Sequence, residues 1–197
     1  MNLQKIVTGQ YVELPKMLDA RERRQFVQQK LLSEHQLPLI SFTLNIVGPI
    51  KVFPLAVRTF EEGLSMIRIQ CMAWKLPIIE EKRIEDITGY EAFLVIDSDA
   101  RTVKEILCRL EERTPLGRLF DLDVLSPNGT KISRTDFHMP PRKCLLCNQD
   151  QFFYALVSQF LCFFDQTLHR YTAVISTDFR DNTVCTVFVT AFCNLQI

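Results

Sequence analysis

The chain has 197 residues, enough for one domain with a full core or for one domain with an appendage. Its 23 basic and 23 acidic residues cancel, so no overall charge favours nucleic acid or a membrane surface. No apolar run reaches the roughly 18 to 20 residues of a membrane span. The first residues do not form a signal peptide, and seven irregularly spaced cysteines argue against a secreted disulfide framework. We therefore expect a cytoplasmic protein that binds neither nucleic acid nor a membrane.

The first predicted element is a helix that begins at Leu18 and runs to about His35, after a loop over residues 1–16. The residues expected to share its apolar face are Leu18, Phe26, Leu31 and Leu32. Around that face lie basic residues, among them Arg21, Arg24 and Lys30. We interpret them as a solvated basic face, with binding of phosphate or of an acidic partner as the alternative.

A β-rich stretch over residues 38–46 predicts the first strand, and it is followed by the sequence Gly48-Pro49-Ile50-Lys51. A Gly-Pro turn lets the backbone approach a ligand, and the ammonium of Lys51 can then reach a phosphate. We assign Gly48 and Lys51 to ligand binding on this basis, although most such turns are only turns.

A second helix is predicted over residues 54–74, with proline in its first turn. Its apolar stripe consists of Phe60, Leu64 and Ile67, and Arg58 lies off that stripe as a candidate phosphate ligand.

Residues 91–96 form another short apolar stretch and predict a strand. Asp99 is a candidate N-cap for the helix that follows. The residues expected on the buried face of that helix are Val103, Ile106, Leu107 and Leu110.

Residues 120–124 read as an apolar strand that carries two carboxylates, Asp121 and Asp123. Residues i and i+2 of a strand point to the same face, so these carboxylates are expected side by side. They repel each other unless a cation lies between them, and such oxygen ligands suit Mg²⁺. Arg118 adds a guanidinium that can hold phosphate oxygens. The alternative is a purely structural role, in which the two aspartates form the solvent-exposed face of the strand.

After this strand, Pro127-Asn128-Gly129 predicts a tight turn and residues 131–133 predict the returning strand of a hairpin. Strands and helices interleave without strict alternation, which favours an α+β domain with a mixed sheet and flanking helices. The chain has no Rossmann glycine signature, no P-loop and no nucleophile elbow.

Four blocks of the sequence occur in the order seen in one enzyme family, and together they cover roughly residues 10–150. The blocks are Pro38-Leu39-Ile40-Ser41-Phe42-Thr43, Gly48-Pro49-Ile50-Lys51, Pro115-Leu116-Gly117-Arg118-Leu119-Phe120-Asp121-Leu122-Asp123-Val124 and Pro140-Pro141-Arg142-Lys143-Cys144-Leu145-Leu146-Cys147. In these blocks the chain resembles the citrate lyase holo-acyl-carrier-protein synthases, also called apo-citrate lyase phosphoribosyl-dephospho-CoA transferases.

The resemblance implies a nucleotidyltransferase-like enzyme. It would take the substrate 2′-(5″-triphosphoribosyl)-3′-dephospho-CoA, attach its phosphoribosyl-dephospho-CoA part to a serine of the acyl carrier (gamma) subunit of citrate lyase, and release diphosphate. Attack of a hydroxyl on a phosphate needs a cation held by carboxylates and cationic groups on the leaving diphosphate. Asp121 and Asp123 would hold Mg²⁺, or one of them would help deprotonate the serine, and Arg118 and Lys51 would bind phosphates.

Two functional alternatives remain at this point. One is a non-catalytic module that docks an acyl carrier protein or a CoA-like nucleotide. The other is the equivalent transferase of malonate decarboxylase. Arg24 and Arg134 are candidates for receiving the acidic surface of a carrier subunit.

Cys144 and Cys147 have half of a zinc-ligand spacing. In the resembling family a Cys-Ala-Arg segment and a histidine follow, and they would complete a structural zinc site. Here that segment is missing, so two reduced structural cysteines are the favoured interpretation.

Composition changes abruptly after residue 150. Residues 151–197 contain no Gly, Pro, Lys or Glu, yet they hold 8 of the 15 phenylalanines. A segment of this length should contain about three Gly and about two Pro. We therefore divide the chain into a transferase domain over residues 1–150 and an atypical tail over residues 151–197.

A change of reading frame near Asp150 explains both anomalies. Codons for the sequence Tyr-Ala-Leu-Val, read two bases later, can encode the missing Cys-Ala-Arg segment. The alternative is a divergent C-terminal extension that forms a hairpin or a partner surface. Residues 183–193 are β-prone, uncharged and free of proline, which marks them as an aggregation hazard if the tail is translated.

Overall fold

The computed structural model describes residues 9–46 and 48–139. In chain order its elements are α1 (Leu14–His35), β1 (Leu39–Leu44), α2 (Pro54–Ala73), β2 (Ile78–Asp86), β3 (Gly89–Ile96), α3 (Ala100–Arg113), a 3₁₀ turn (Pro115–Arg118), β4 (Phe120–Leu125) and a second 3₁₀ turn (Arg134–Phe137). The α+β class predicted from the sequence is confirmed.

The four strands form one sheet in the order β2-β3-β1-β4. Every pairing between them is antiparallel, so the prediction of a mixed sheet was wrong for the described residues. The error has a simple cause. Apolar periodicity reveals that a segment is a strand, but it carries no information about the direction of that strand relative to its neighbours.

Helices cover both faces of the sheet. On one face α2 and α3 enclose the larger core, in which Phe42 of β1 stacks on Phe60 of α2 with ring centroids 4.9 Å apart. Gly63 allows this close approach, because a Cβ there would lie 2.6 Å from the Phe42 ring. The other face is covered by α1. The buried cluster beneath it consists of Val27, Leu31, Leu32, Leu39, Phe93, Val95 and Leu125.

The predicted helix α1 exists, but it begins at Leu14 and its buried face differs from the prediction. Leu18 and Phe26 are 47% and 68% exposed. The buried residues are Ala20, Val27, Leu31 and Leu32. The side of α1 that faces the sheet also carries arginine and glutamine side chains, which contact polar groups of the sheet. A prediction based on apolar residues alone therefore chose the wrong side of the helix in its first turns.

Strand β2 was not predicted. Six of its nine residues are charged, which hides the strand pattern: Glu80, Glu81, Lys82, Arg83, Glu85 and Asp86. Neighbouring helices supply partners for these charges. Arg23 of α1 pairs with Asp86, and Arg68 of α2 pairs with Glu81. Because both partners come from distant parts of the chain, local sequence patterns did not reveal the strand.

The remaining predicted elements are confirmed. β1, α2, β3 and β4 lie where the apolar patterns indicated, and Phe60, Leu64 and Ile67 are buried as expected. Asp99 caps α3, since its Oδ2 accepts a hydrogen bond from the backbone nitrogen of Thr102 at 2.9 Å. The four residues predicted for the buried face of α3 are all buried.

The segment after β4 turns back as predicted, but it does not form a full strand. One bridge joins Leu125 and Lys131, and the nitrogen of Ile132 donates to the oxygen of Val124 at 2.9 Å. The chain then enters the second 3₁₀ turn.

The described residues up to His138 belong to one compact unit. The predicted domain boundary at residue 150, the cysteines Cys144 and Cys147, and the tail over residues 151–197 lie outside the described residues. Among the helices that are described, none has the length and apolarity needed to cross a membrane.

Candidate active site

A cleft of about 170 Å³ lies at the end of the sheet where β1 ends and where β3 and β4 begin. The first half of α1 forms one wall, and the loop before α2 together with the first turn of α2 forms another. Phe60 and Tyr90 contribute an aromatic edge, with their rings packed edge to face at 5.7 Å. Three strand ends, two helices and one loop therefore converge here.

A polar row crosses the three strand ends at this cleft. Thr43 of β1 is the register partner of Asp121 of β4. On the other side of β1, Phe42 pairs with Ala92, so the next pair in that register is Thr43 with Glu91 of β3. All three side chains are on the α1 face, and all three residues line the cleft. Two carboxylates thus flank one hydroxyl on a single surface.

Asp121 and Asp123 project from the same face of β4, as predicted. Asp121 is exposed and its Oδ2 accepts a long hydrogen bond, 3.4 Å, from the Thr43 hydroxyl. The Asp123 carboxylate is 2.7 Å from the Nζ of Lys131, in the segment that follows the turn. Of the two, Asp121 is the one that lines the cleft.

The Lys131 ammonium changes the interpretation of the aspartate pair. From the sequence we expected that two neighbouring carboxylates require a bound metal ion, but Lys131 already provides one positive charge. Its side chain is 59% exposed, and an exposed ion pair of this kind contributes at most about 1 kcal/mol. A cation that binds Asp123 would have to displace Lys131 from this weak ion pair.

Three cationic side chains line the cleft together with the carboxylates. Arg21 and Arg24 come from α1, and Lys51 comes from the loop before α2. Lys51 Nζ donates to the backbone oxygen of Ile46 at 2.6 Å, which holds the two ends of the loop together. Arg24 Nη2 donates to Oε1 of Glu91 at 2.9 Å. The cleft thus combines binding groups for an anion with carboxylates suited to a cation.

Of the six residues predicted from the sequence for catalysis or cofactor binding, the structure brings Lys51 and Asp121 together in the cleft. The remaining four, Gly48, Arg58, Arg118 and Asp123, are not among the residues that line it. Their roles as ligands of phosphate or metal stay predictions.

The turn that carries Arg118 explains part of the sequence motif. Thr114 Oγ1 accepts a hydrogen bond from the nitrogen of Gly117 at 2.9 Å, which caps the 3₁₀ turn. A Cβ on Gly117 would lie 2.3 Å from the backbone oxygen of Glu111, so only glycine fits. This packing fixes where β4 begins and therefore where Asp121 lies.

Sequence reasoning missed several residues of the cleft: Thr43, Glu91 and Tyr90. One signal was present, because Glu91 opens the apolar stretch of β3, and a carboxylate beside a buried strand requires a partner. Arg21 and Arg24 had been interpreted as a solvated face. Arg24 instead lies in the cleft with a side chain that is 28% exposed.

Arg134 does not have the role that was considered for it. Its side chain is 13% exposed, and its guanidinium pairs with the carboxylates of Glu111 and Glu112. Because Glu111 and Glu112 already occupy this guanidinium, the structure does not support the predicted contact between Arg134 and a carrier subunit.

Within residues 9–46 and 48–139, no three His, Cys, Asp or Glu side chains are grouped as ligands for a metal ion. Asp121 and Asp123 offer two carboxylates, and the hydroxyl of Thr43 is adjacent. The predicted half-site at Cys144 and Cys147 lies outside the described residues.

Comparison with known proteins places the chain in an enzyme family. Residues 12–152 match the family described as apo-citrate lyase phosphoribosyl-dephospho-CoA transferase. A protein of that name from Escherichia coli O7:K1 is 38% identical over 147 residues, which span 75% of this chain and 80% of the relative. One from Escherichia coli O1:K1 is 40% identical over 138 residues, spanning 70% and 75%. One from Shigella boydii serotype 18 is 38% identical over 147 residues, again spanning 75% and 80%. The chain therefore belongs to the apo-citrate lyase phosphoribosyl-dephospho-CoA transferase family.

Proposed function

We propose that this protein transfers a phosphoribosyl-dephospho-CoA group from 2′-(5″-triphosphoribosyl)-3′-dephospho-CoA to a serine of the acyl carrier subunit of apo-citrate lyase. The serine oxygen forms a bond to the α-phosphorus, the bond from that phosphorus to the diphosphate breaks, and the diphosphate leaves with the electron pair. Family membership supports the substrate and the carrier. This chemistry is of the nucleotidyltransferase type, and we expect it to take place in the cytoplasm.

The observation that carries the proposal is the opposition of charges in the cleft. Arg21, Lys51 and the Arg24 that is paired with Glu91 line the cleft from α1 and the loop before α2, and Asp121 lines it from β4. A triphosphate bound between them would have its negative charge matched by the cations, and its reacting phosphorus would face the carboxylate. Preorganised charges of this kind are a large source of rate enhancement in phosphoryl transfer.

The donor set of β4 fits Mg²⁺. Asp121, which is exposed, and Asp123, which is half-buried, present carboxylate oxygens on one face, and water can complete the coordination. When bound, the ion would neutralise charge on the phosphate oxygens. The chain's own residues perform the rest: the cationic side chains orient the triphosphate, and an aspartate is available to accept the proton of the serine.

Family membership favours this reaction over the two alternatives considered from the sequence, the malonate decarboxylase equivalent and a non-catalytic binding module. The binding module makes a different prediction for Asp121. A module that only docks its ligand would tolerate replacement of Asp121 by Asn, and a transferase would not.

The test is the intact mass of the apo-carrier subunit after incubation with this protein, the triphosphate precursor and Mg²⁺. We expect a mass gain equal to one phosphoribosyl-dephospho-CoA group, and we expect the Asp121→Asn variant to lose at least about a hundredfold in rate, as for removal of a principal electrostatic group. Asp97→Asn is the matched control, because Asp97 is an exposed aspartate that follows β3 at the opposite end of the sheet. Full transfer by Asp121→Asn would contradict the assignment.

For residues 151–197 we propose the change of reading frame described above. The family match ends at residue 152, which supports this proposal because the compositional change falls at the same place. Resequencing the gene tests it directly. We expect one extra or missing base near codon 150, and an intact frame together with recovery of this tail by mass spectrometry would refute the proposal.

A further inference from the structure

Two consecutive arginines of α1 reach down to the sheet, and each one pairs with a carboxylate. Arg23 Nη1 donates to Oδ2 of Asp86 at 2.7 Å, and Arg24 Nη2 donates to Oε1 of Glu91 at 2.9 Å. The two ion pairs have similar lengths and join the same helix to two neighbouring strands. They differ in how completely the carboxylate is satisfied.

Asp86 has partners on both of its oxygens. Oδ1 accepts from the backbone nitrogen of Ile87 at 2.7 Å, and Oδ2 accepts from the hydroxyl of Thr88 at 3.3 Å as well as from Arg23. Asp86 is not among the residues that line the cleft. The Arg23–Asp86 pair thus has the features of a structural contact between α1 and the β2–β3 turn.

Glu91 is 1% exposed and lines the cleft, yet only one of its oxygens has a partner. Oε2 is buried without any hydrogen bond among the described residues, and so is Nε of Arg24. Leaving a buried carboxylate oxygen without a partner is costly, so a group of this kind requires an explanation in a native fold. Buried nitrogens without partners also occur in Arg23, Arg83 and Arg134, whereas Oε2 of Glu91 is the one carboxylate oxygen of this kind among the described residues. The acceptor on Glu91 is therefore what sets the Arg24–Glu91 pair apart.

Resting on the function proposed above, we propose that the Arg24–Glu91 pair binds the phosphorylated ribose of the precursor, with Arg24 on a phosphate and Glu91 Oε2 accepting a hydrogen bond from a ribose hydroxyl. An arginine fork matches phosphate oxygens, and a carboxylate beside it matches a sugar hydroxyl. The ligand class is a ribose 5-triphosphate, in which the phosphates and the ribose hydroxyls are separated by only a few bonds. Glu91 is then the residue that distinguishes a triphosphate carried on ribose from other polyphosphates.

Two nucleotides test this assignment without any variant. Adenosine 5′-triphosphate carries a triphosphate on ribose with both hydroxyls free, and 2′,3′-dideoxyadenosine 5′-triphosphate lacks those hydroxyls but is otherwise the same. Titration calorimetry of the full-length protein with each nucleotide and Mg²⁺ should show roughly tenfold tighter binding of the hydroxylated probe, as expected for one hydrogen bond to a charged group. Equal affinities for the two probes would overturn the proposal.

Variants then connect the preference to the pair. In Glu91→Gln the preference should disappear, while the affinity for the dideoxy probe stays within about twofold of the wild type because Arg24 remains in the cleft. In Arg24→Gln both probes should bind about tenfold more weakly. Asp86→Asn, which alters the neighbouring pair of the same helix, should keep the full preference. A preference that survives in Glu91→Gln would refute the role of Glu91.

Transfer to the apo-carrier subunit is measured in parallel on the same wild-type preparation, so the two proposals fail separately. Transfer without discrimination between the probes would overturn the role of the Arg24–Glu91 pair and leave the enzymatic assignment in place. Discrimination without transfer would support the pair as a ribose triphosphate site and count against the proposed reaction.

Discussion

The sheet face beneath α1 has two ends that differ in what they bury. Near the end of α1, Leu31 and Leu32 pack on Leu39, Phe93 and Val95. Near the beginning of α1, the same strands present hydroxyl and carboxylate groups, and arginines of the helix lie beside them. One helix on one sheet thus provides a closed apolar contact at one end and a charged cleft at the other. This contrast supports the proposal that one end of α1 stabilises the fold and the other end contributes to ligand binding.

The largest expected effect lies at the apolar end. Phe93 is fully buried, and Phe93→Ala should lower the free energy of unfolding by about 3 to 5 kcal/mol because it removes apolar contacts and leaves a cavity. Urea denaturation measures this change. If the two ends are independent, the transfer rate per folded molecule should match the wild type. A loss of activity without a loss of stability would contradict the independence of the two ends of α1.

At the charged end of α1, a substitution should change activity and leave stability unchanged. Arg21 is exposed and lines the cleft, so Arg21→Gln should raise the KM for the triphosphate precursor roughly tenfold, in line with the loss of one charge-assisted hydrogen bond. Its unfolding curve should superimpose on that of the wild type. Arg109→Gln is the matched control, since Arg109 is an exposed arginine of α3 paired with Glu105. An unchanged KM in Arg21→Gln would remove Arg21 from the site.

The competition between Lys131 and a metal ion provides a finer test. Lys131→Ala removes the ammonium that lies 2.7 Å from Asp123, so the Mg²⁺ concentration for half-maximal transfer should fall roughly threefold, which corresponds to the strength of an exposed ion pair. Lys30→Ala is the control, because Lys30 pairs with Glu34 on the surface of α1. A higher Mg²⁺ requirement in Lys131→Ala would indicate that Lys131 supports the site instead of competing with the ion.

The smallest expected effect concerns the ion pair next to the cleft. The hydrogen bond from Arg23 lowers the pKa of Asp86 below its ordinary value. Asp86 therefore adds stability above the ordinary aspartate pKa, and this contribution is lost as the pH falls through the lower pKa of the folded state. Asp86→Asn should cost less than about 1 kcal/mol at neutral pH, with the difference shrinking in acid. Chemical denaturation across the pH range measures it, and a difference that grows in acid would contradict this sign.

The contrast between apolar and charged contacts also explains which parts of the fold could be predicted from the sequence. Apolar periodicity located β1, α2, β3, α3 and β4, because burial of apolar side chains decides where those elements form. It failed for β2, whose charges are paired with residues far away in the chain, and for Leu18 and Phe26, whose apolarity is not matched by burial. Long-range pairing leaves no local signature.

For the site, the sequence identified groups that are close along the chain but not those assembled by the fold. Asp121 and Asp123 were placed on one face correctly, because two-residue spacing determines that in any strand. The row that joins Asp121 to Glu91 through Thr43 depends on the register of three strands, and no spacing along the chain encodes it.

The strand order has a consequence for association between copies of the protein. β2 and β4 are the outer strands of the sheet, and within the described residues the outer side of β4 is bridged only at Lys131. Exposed strand edges invite pairing with another chain, and charges on them oppose it. β2 is mostly charged, and β4 carries Asp121 and Asp123. We therefore expect the proposed catalytic carboxylates also to oppose edge-to-edge aggregation. Replacing both aspartates with valine should promote fibrous self-association.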